Sequence, residues 1–265
     1  MKSWLVIGQY VPGHSVLHRL DPRTKLLMIF TYVIIVFFAN NTLSYGLLAI
    51  FAIWTIFLSK LSLTYILKGI TPIWFFIIFS FLIHLFFTND GDIIWQLSGL
   101  KIYSGGLVKG LTISLRFLLL IMVTSLLTLT TSPMEITDAL ENLLSPLQKW
   151  KFPVHELALM LSISLRFIPT LMDELDKISK AQASRGVDLR TGSLKSRMYA
   201  VIPLLVPLFI SAFRRAEDLA MAMEARGYRG GEGRTKLRQL SYSWLDFQAV
   251  VIYIFIMIIF FMLRN

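Results

Sequence analysis

The sequence contains no cysteine and few charged residues. The absence of Cys from its 265 residues excludes disulfides, thiolate metal sites and a cysteine nucleophile. Charged residues make up 16 % of the chain and hydrophobic residues 55 %, whereas soluble domains contain about 25 % charged residues. The composition therefore predicts a membrane protein. Its net charge of +10 indicates cytoplasmic loops and anionic lipid headgroups, and we expect no nucleic-acid partner.

The sequence also lacks the residue patterns of an enzyme. The four histidines show no metal-ligand spacing. The glycine-rich segment 230–235 lacks the Gly-Lys-Ser/Thr ending of a phosphate loop and follows a helical pattern rather than a strand, so we interpret it as a turn. An intramembrane enzyme would need a cluster of His, Asp or Glu near the membrane plane, which the sequence does not show. We expect a non-catalytic protein that binds no metal or cofactor directly.

Five apolar runs predict membrane-spanning helices. The first two are short for a hydrocarbon core of about 30 Å, so either flanking polar residues extend them or they lie where the bilayer is thinner. The fold class predicted is an all-α membrane protein with about five transmembrane helices. The runs are 26–39, 43–58, 69–87, 111–131 and 247–263.

The distribution of Lys and Arg predicts the orientation of the chain. Basic residues mark cytoplasmic loops, which places the N-terminus in the cytoplasm and the loop around Asp90 outside. We therefore expect a multi-pass protein of the cell membrane, with its C-terminus outside. The predicted parts are a transmembrane region of four spans, a cytoplasmic region and a last span, at 1–131, 132–244 and 245–265.

The region 132–244 predicts three amphipathic helices at the membrane surface or in the cytoplasm. The first opens with Ser132-Pro133-Met134-Glu135, which has the pattern of a capping box, and is broken by Pro146 and Pro153. Two longer helices follow at about 156–184 and 194–226, and each carries an apolar stripe at helical spacing. The stripes include Leu161, Leu165, Ile168 and Met172 in the first long helix and Leu205, Phe209, Ala216 and Met223 in the second.

Both long helices end in the same motif, Ser184-Arg185-Gly186 and Ala225-Arg226-Gly227. A glycine after a helix adopts the left-handed conformation easily, and a cation in the last turn interacts favourably with the helix dipole. These effects alone would explain each motif. A guanidinium is also suited to carboxylates or backbone carbonyls of a partner protein, and the repetition of the motif favours that alternative.

The segment His18-Arg19-Leu20-Asp21-Pro22-Arg23-Thr24-Lys25, together with the two Arg-Gly motifs, resembles the EcfT family, the transmembrane T components of energy-coupling factor (ECF) transporters. The first motif departs from the family's Ala-Arg-Gly by having Ser184. The resemblance makes Asp21, Pro22, Arg23 and Lys25 an N-terminal signature. Their charges would either form an ion-pair cluster at the first span or serve only to orient the chain.

This resemblance implies a subunit of an ABC-type vitamin importer. Two cytoplasmic ATPases, which would hold ATP and Mg²⁺, would bind Arg185 and Arg226 with their neighbours in the motifs. A membrane-embedded S component would capture the vitamin and dock on the apolar stripes of the two long helices. We call the eight stripe residues named above the platform. Alanine and methionine at 220–223 suit such a surface, and the alternative is that this face packs inside the protein.

A self-contained secondary transporter or channel is the alternative function. It requires polar groups that converge at mid-membrane, and the predicted spans contain few. Arg116 lies within the fourth run, where a charge is unfavourable and is often functional. The alternative is that its side chain extends to the membrane surface or bonds to a carbonyl of a neighbour.

Overall fold

A computed structural model of the chain describes residues 10–97, 100–186, 194–230 and 240–264. Within these ranges the backbone is mainly helical, which confirms the predicted all-α class. The helices are α1 Val16–Arg19, α2 Pro22–Phe38, α3 Thr42–Ser59, α4 Leu63–Phe87, α5 Ser104–Thr130, α6 Pro133–Leu144, α7 Val154–Ser184, α8 Leu194–Ala225 and α9 Trp244–Arg264. An antiparallel hairpin of β1 Ile93–Leu97 and β2 Leu100–Tyr103, which the sequence pattern does not indicate, joins α4 to α5.

The chain folds into two compact units. The first comprises Met1–Ala139 and Leu240–Asn265, and the second comprises Leu140–Gln239. These boundaries follow contacts within the chain, whereas the predicted boundaries at 131 and 244 follow membrane topology. The cytoplasmic location of the middle region therefore stays a prediction.

The first unit is organised around α5, which packs against α2, α3 and α4. Tyr32, Leu48, Leu119 and Phe260 are almost completely buried in its core. A Cβ atom at Gly106 of α5 would lie 2.9 Å from the carbonyl oxygen of His84 on α4. The close approach of these two helices therefore requires a glycine at that position.

Four helices are long and apolar enough to cross a membrane, judged by length and composition in the described part of the chain. Three of them, α3, α5 and α9, match predicted spans. The fourth is α7, which the sequence instead predicts to lie at the membrane surface or in the cytoplasm. Helix α2, the first predicted span, has 17 residues. In α4, which covers the third predicted span, the stretch Ile73–Phe87 is a shorter apolar helical segment.

The predicted start of α6 is confirmed. The backbone N–H of Ser132 donates to Oε2 of Glu135 at 3.1 Å, and the N–H of Glu135 donates to Oγ of Ser132 at 3.3 Å, as in a capping box. A 3₁₀ helix, Ser145–Trp150, follows α6, and Pro153 is the N-cap of α7. The two prolines thus separate α6 from α7 as the sequence predicts.

Candidate functional site

Helices α7 and α8 form an antiparallel pair in the second unit. Gln182, near the end of α7, contacts Pro203 in the first half of α8, and Glu174 contacts Arg215 further along α8. Residue numbers rise along one helix as they fall along the other, which defines the antiparallel direction. Nε2 of Gln182 donates to the carbonyl oxygen of Pro203 at 3.3 Å. Nη2 of Arg215 lies 2.8 Å from Oε2 of Glu174, an ion pair by distance although its angles fall outside those of a hydrogen bond.

A groove of about 300 Å³ lies between the two helices. Its walls are mostly apolar, and Arg215 is the charged residue among them. The lining residues are Ile163, Phe167 and Leu171 of α7 and Ala212, Arg215, Ala216, Leu219, Ala220 and Met223 of α8. Ala216 and Met223 of the predicted platform therefore lie in this groove, whereas the platform residues of α7 do not line it.

The Arg-Gly motifs end the two helices as predicted. Gly186 has a φ of 85° and Gly227 a φ of 73°, both in the left-handed region. At the end of α8, the N–H of Tyr228 donates to the carbonyl of Met223 and the N–H of Gly227 to that of Glu224, which is the Schellman pattern. The side chains of Arg185 and Arg226 are exposed, and neither forms a salt bridge with another described residue.

The two Arg-Gly motifs, which we call the tips, lie at opposite ends of the helix pair. Arg185 follows Gln182 by three residues and so lies beside the first half of α8, whereas Arg226 ends the second half. At about 1.5 Å per residue, the stretch from Pro203 to Ala225 separates the tips by roughly 35 Å. Ser184 and Ala225, which precede the arginines, are also exposed.

Most of the predicted platform residues are exposed in the isolated chain. Leu161, Ile168 and Phe209 are 50 %, 49 % and 60 % exposed. The others are Met172, Leu205 and Ala216, which are also exposed, and Leu165 and Met223, which are half-buried. The residues at 220–223 do not form a single exposed face. Met221 is exposed, whereas Met223 lines the groove between α7 and α8.

The N-terminal signature begins α2. Pro22 occupies its first turn, and Oδ1 of the N-cap Asp21 accepts a hydrogen bond from the N–H of Arg23 at 2.8 Å. The Arg23 guanidinium also pairs with this carboxylate, with Nη2 2.9 Å from Oδ2. Lys25 does not join this ion pair. Its Nζ donates to the carbonyl oxygen of Thr130 and to Oγ1 of Thr131, each at 3.1 Å.

Two residues outside the signature, which the motifs in the sequence analysis do not include, contact it. Asp246, at the start of α9, is 2 % exposed and accepts a hydrogen bond from the N–H of Asp21 at 2.7 Å. The ring of Tyr242 lies 4.0 Å from the guanidinium carbon of Arg23. The spacing of Ser243 and Asp246 before an apolar run is the pattern of a capping box, and it would have indicated Asp246.

Arg116 has a partner within the first unit. Its Nε and Nη2 donate to the hydroxyl oxygen of Tyr45 at 3.1 and 2.6 Å, and its guanidinium carbon lies 5.5 Å from the ring centre of Phe37. The partner is thus a phenol of α3 and not a backbone carbonyl. No signal in the sequence connects positions 45 and 116.

Metal-binding groups are sparse in the described ranges. No group of three or more His, Cys, Asp or Glu lies close enough there to hold a metal ion. Nδ1 of His155 lies 3.0 Å from Oε1 of Glu141, a pair within the second unit. Most of the glycine-rich segment 230–235 lies outside the described residues.

These observations define a class of protein: a helical, multi-pass membrane protein that presents two exposed Arg-Gly helix ends on one antiparallel helix pair. The model of the CbiQ family, described as cobalt transport protein, matches residues 13–237. The energy-coupling factor transporter transmembrane protein EcfT of Bacillus subtilis (strain 168) is 56 % identical over 264 residues, which cover 100 % of both chains. EcfT of Staphylococcus aureus (strain 04-02981) is 47 % identical over 264 residues, 100 % of this chain and 98 % of that one.

The chain belongs to the EcfT family of energy-coupling factor transporter transmembrane proteins. The resemblance inferred from the N-terminal signature and the two Arg-Gly motifs is thereby confirmed. The protein is a membrane-embedded transport component, in a family of non-catalytic subunits.

Proposed function

We propose that this chain couples two cytoplasmic ATPases to a membrane-embedded S component in an ECF-type ABC importer of vitamins or other micronutrients. The observation that carries the proposal is the position of Arg185 and Arg226, which are exposed at opposite ends of one helix pair. Each ATPase binds one of these tips, with Ser184, Gly186, Ala225 and Gly227 forming the rest of the two contacts.

The separation of the tips supports two binding partners rather than one. Two compact domains of about 200 residues, each with a radius of gyration near 16 Å, have centres roughly 40 Å apart when they lie side by side. This matches the separation of roughly 35 Å along the helix pair. The guanidinium groups of Arg185 and Arg226 have no ion-pair partner among the described residues. Their N–H donors suit carboxylates or carbonyl oxygens of a partner protein.

The ATPases supply the energy and the S component selects the cargo. ATP and Mg²⁺ belong to the ATPases, because this chain offers no phosphate loop with the required ending. The S component docks on the platform, of which Leu161, Ile168 and Phe209 are 50 %, 49 % and 60 % exposed. A surface of this kind accepts an apolar membrane partner without charge complementarity.

The proposed orientation places the N-terminus and the α7–α8 pair on the cytoplasmic side, and the C-terminus outside. The charges in the second half of α7 favour this assignment, although the whole helix is long and apolar enough to cross a membrane. It contains Asp173, Glu174, Asp176, Lys177 and Lys180, and a charge near the centre of a bilayer is unfavourable by about 3 kcal/mol.

A pull-down from native membranes tests the proposal. Tagged wild-type protein should retain two ABC-type ATPases and a small hydrophobic membrane protein, identified by mass spectrometry. The Arg185→Glu/Arg226→Glu double variant should insert normally and lose the ATPases, since a carboxylate would face an acidic binding site. Arg214→Glu, which reverses an exposed charge of α8 outside the motifs, is the matched control and should retain them.

Two results would overturn the proposal. Retention of the ATPases by the double variant would remove the assigned role of the arginines. Solute uptake by the wild-type chain alone in proteoliposomes would instead establish a self-contained transporter.

A further inference from the structure

Helix α8 contains two prolines that are four residues apart, which is the spacing of donor and acceptor in a helical hydrogen bond. In an α-helix the carbonyl of residue i accepts from the N–H of residue i+4. The residue four positions after Pro203 is Pro207, which has no N–H. The carbonyl of Pro203 therefore lacks its regular donor within α8, and the helix is weakened at 203–207, which we call the proline hinge.

A side chain of the neighbouring helix supplies the missing donor. Nε2 of Gln182 donates to the carbonyl oxygen of Pro203 at 3.3 Å, and both residues are half-buried. A carbonyl that is partly withdrawn from water and has no donor is unfavourable, so the amide is favoured at this position. Beyond the hinge, the ion pair of Arg215 with Glu174 connects α8 to α7 a second time.

Gln182 also lies in the last turns of α7, three residues before Arg185. We infer that Gln182 is a positioning residue that fixes the proline hinge of α8 to the Arg185 end of α7. Displacement of that end by a bound ATPase then changes the bend of α8 directly. The transmission of ATPase movement rests on the proposed function, whereas the fixing of the hinge rests on the contacts alone.

Distance measurements on the full-length protein in nanodiscs test the fixing of the hinge. Because the chain has no cysteine, spin labels at Tyr199→Cys and Phe213→Cys need no background substitutions. These side chains are 73 % and 72 % exposed and lie on either side of the hinge, with backbones about 21 Å apart along a straight helix. Gln182→Met, which keeps the length of the side chain but removes its donor, should broaden the distance distribution and shift it to shorter values.

The matched control restores the donor within α8. In Pro207→Ala the N–H of residue 207 can again reach the carbonyl of Pro203, which makes the Gln182 amide dispensable. The Gln182→Met/Pro207→Ala double variant should therefore show the same narrow distribution as Pro207→Ala alone. A wild-type distribution in Gln182→Met would overturn the inference, as would a double variant that is as broad as Gln182→Met.

A second measurement separates this inference from the proposed function. In the assembled complex, addition of ATP should shift the distance between the labels, and Gln182→Met should abolish the shift while capture of the ATPases in the pull-down is unchanged. If the wild-type chain captures no ATPases, the proposed function fails and the response of the free chain still decides the role of Gln182. If the ATPases are captured and Gln182→Met leaves the ATP-dependent shift intact, the transmission fails.

Discussion

The backbone N–H of Asp21 donates a 2.7 Å hydrogen bond to Oδ1 of Asp246, although the two residues are 225 positions apart in the chain. Asp21 is the N-cap of α2, and Asp246 lies in the first turn of α9. One carboxylate thus joins the starts of the first long helix and the last helix. The N-terminal signature, which the sequence presents as a local motif, is therefore hydrogen-bonded to a residue near the other end of the chain.

Asp246→Ala should destabilise the first unit by about 1–3 kcal/mol, because it leaves the buried N–H of Asp21 without an acceptor. The change also removes the acceptor of the N–H and Oγ of Ser243. Thermal unfolding of the purified protein in detergent measures the effect. Asp218→Ala, at an exposed carboxylate of α8, should leave the transition unchanged. Equal transitions for the two variants would show that the Asp246 contacts do not stabilise the unit.

Tyr45→Phe should lower stability by about 1.5–3 kcal/mol, the range for a hydrogen bond to a charged group. The substitution removes the hydroxyl that accepts from Nε and Nη2 of Arg116 and leaves the ring in place. Tyr65→Phe removes a hydroxyl from an exposed tyrosine and serves as the control. A loss of stability of the same size in both variants would contradict a specific role for the contact with Arg116.

Gly186→Ala should fray the end of α7. With φ at 85°, an alanine is strained by about 1–2 kcal/mol, although its Cβ would meet no atom within 4 Å. Hydrogen exchange at the amides of Arg185 and residue 186 should therefore become faster, and Gly186→Asn should have a smaller effect. Gly46→Ala is the matched control, since that glycine is also free of neighbours within 4 Å but lies within α3. Unchanged exchange in Gly186→Ala would argue against strain at this position.

The ion pair between Glu174 and Arg215 should show a coupling free energy of at most about 1 kcal/mol, as expected for partly exposed charges. Their side chains are 22 % and 32 % exposed. A double-mutant cycle with Glu174→Gln and Arg215→Gln, monitored by thermal unfolding, measures the coupling. Raising the salt concentration should reduce it. Strictly additive effects of the two substitutions would show that the close approach of these charges contributes no stability.

Local features of the fold were largely predictable from the sequence. The capping box of Ser132 and Glu135 and the left-handed glycines after Arg185 and Arg226 depend on residues within one or two helical turns. The limits of α7 and α8 follow from the same signals. The sequence leaves open whether the charges of the signature form an ion-pair cluster or only orient the chain. The structure pairs Arg23 with Asp21, whereas Lys25 bonds to the end of α5.

The apolar stripes show where periodicity stops being informative. The pattern on α7 identifies an apolar helix, but Ile163, Phe167 and Leu171 line the groove against α8, while Leu161 and Ile168 of the predicted stripe are exposed. Both sets repeat at helical spacing, so spacing alone does not distinguish the face that packs from the face that stays free.

The sequence by itself determined the membrane class, the helix ends and the family, because hydropathy, capping and short motifs act over a few neighbouring residues. The tertiary structure decided which residues are paired: Asp21 with Asp246, Arg116 with Tyr45, and Gln182 with the carbonyl of Pro203. It also placed the two Arg-Gly tips at opposite ends of one helix pair. Such contacts join side chains from different helices, and only the packing of those helices brings the partners within the roughly 3 Å that a hydrogen bond requires.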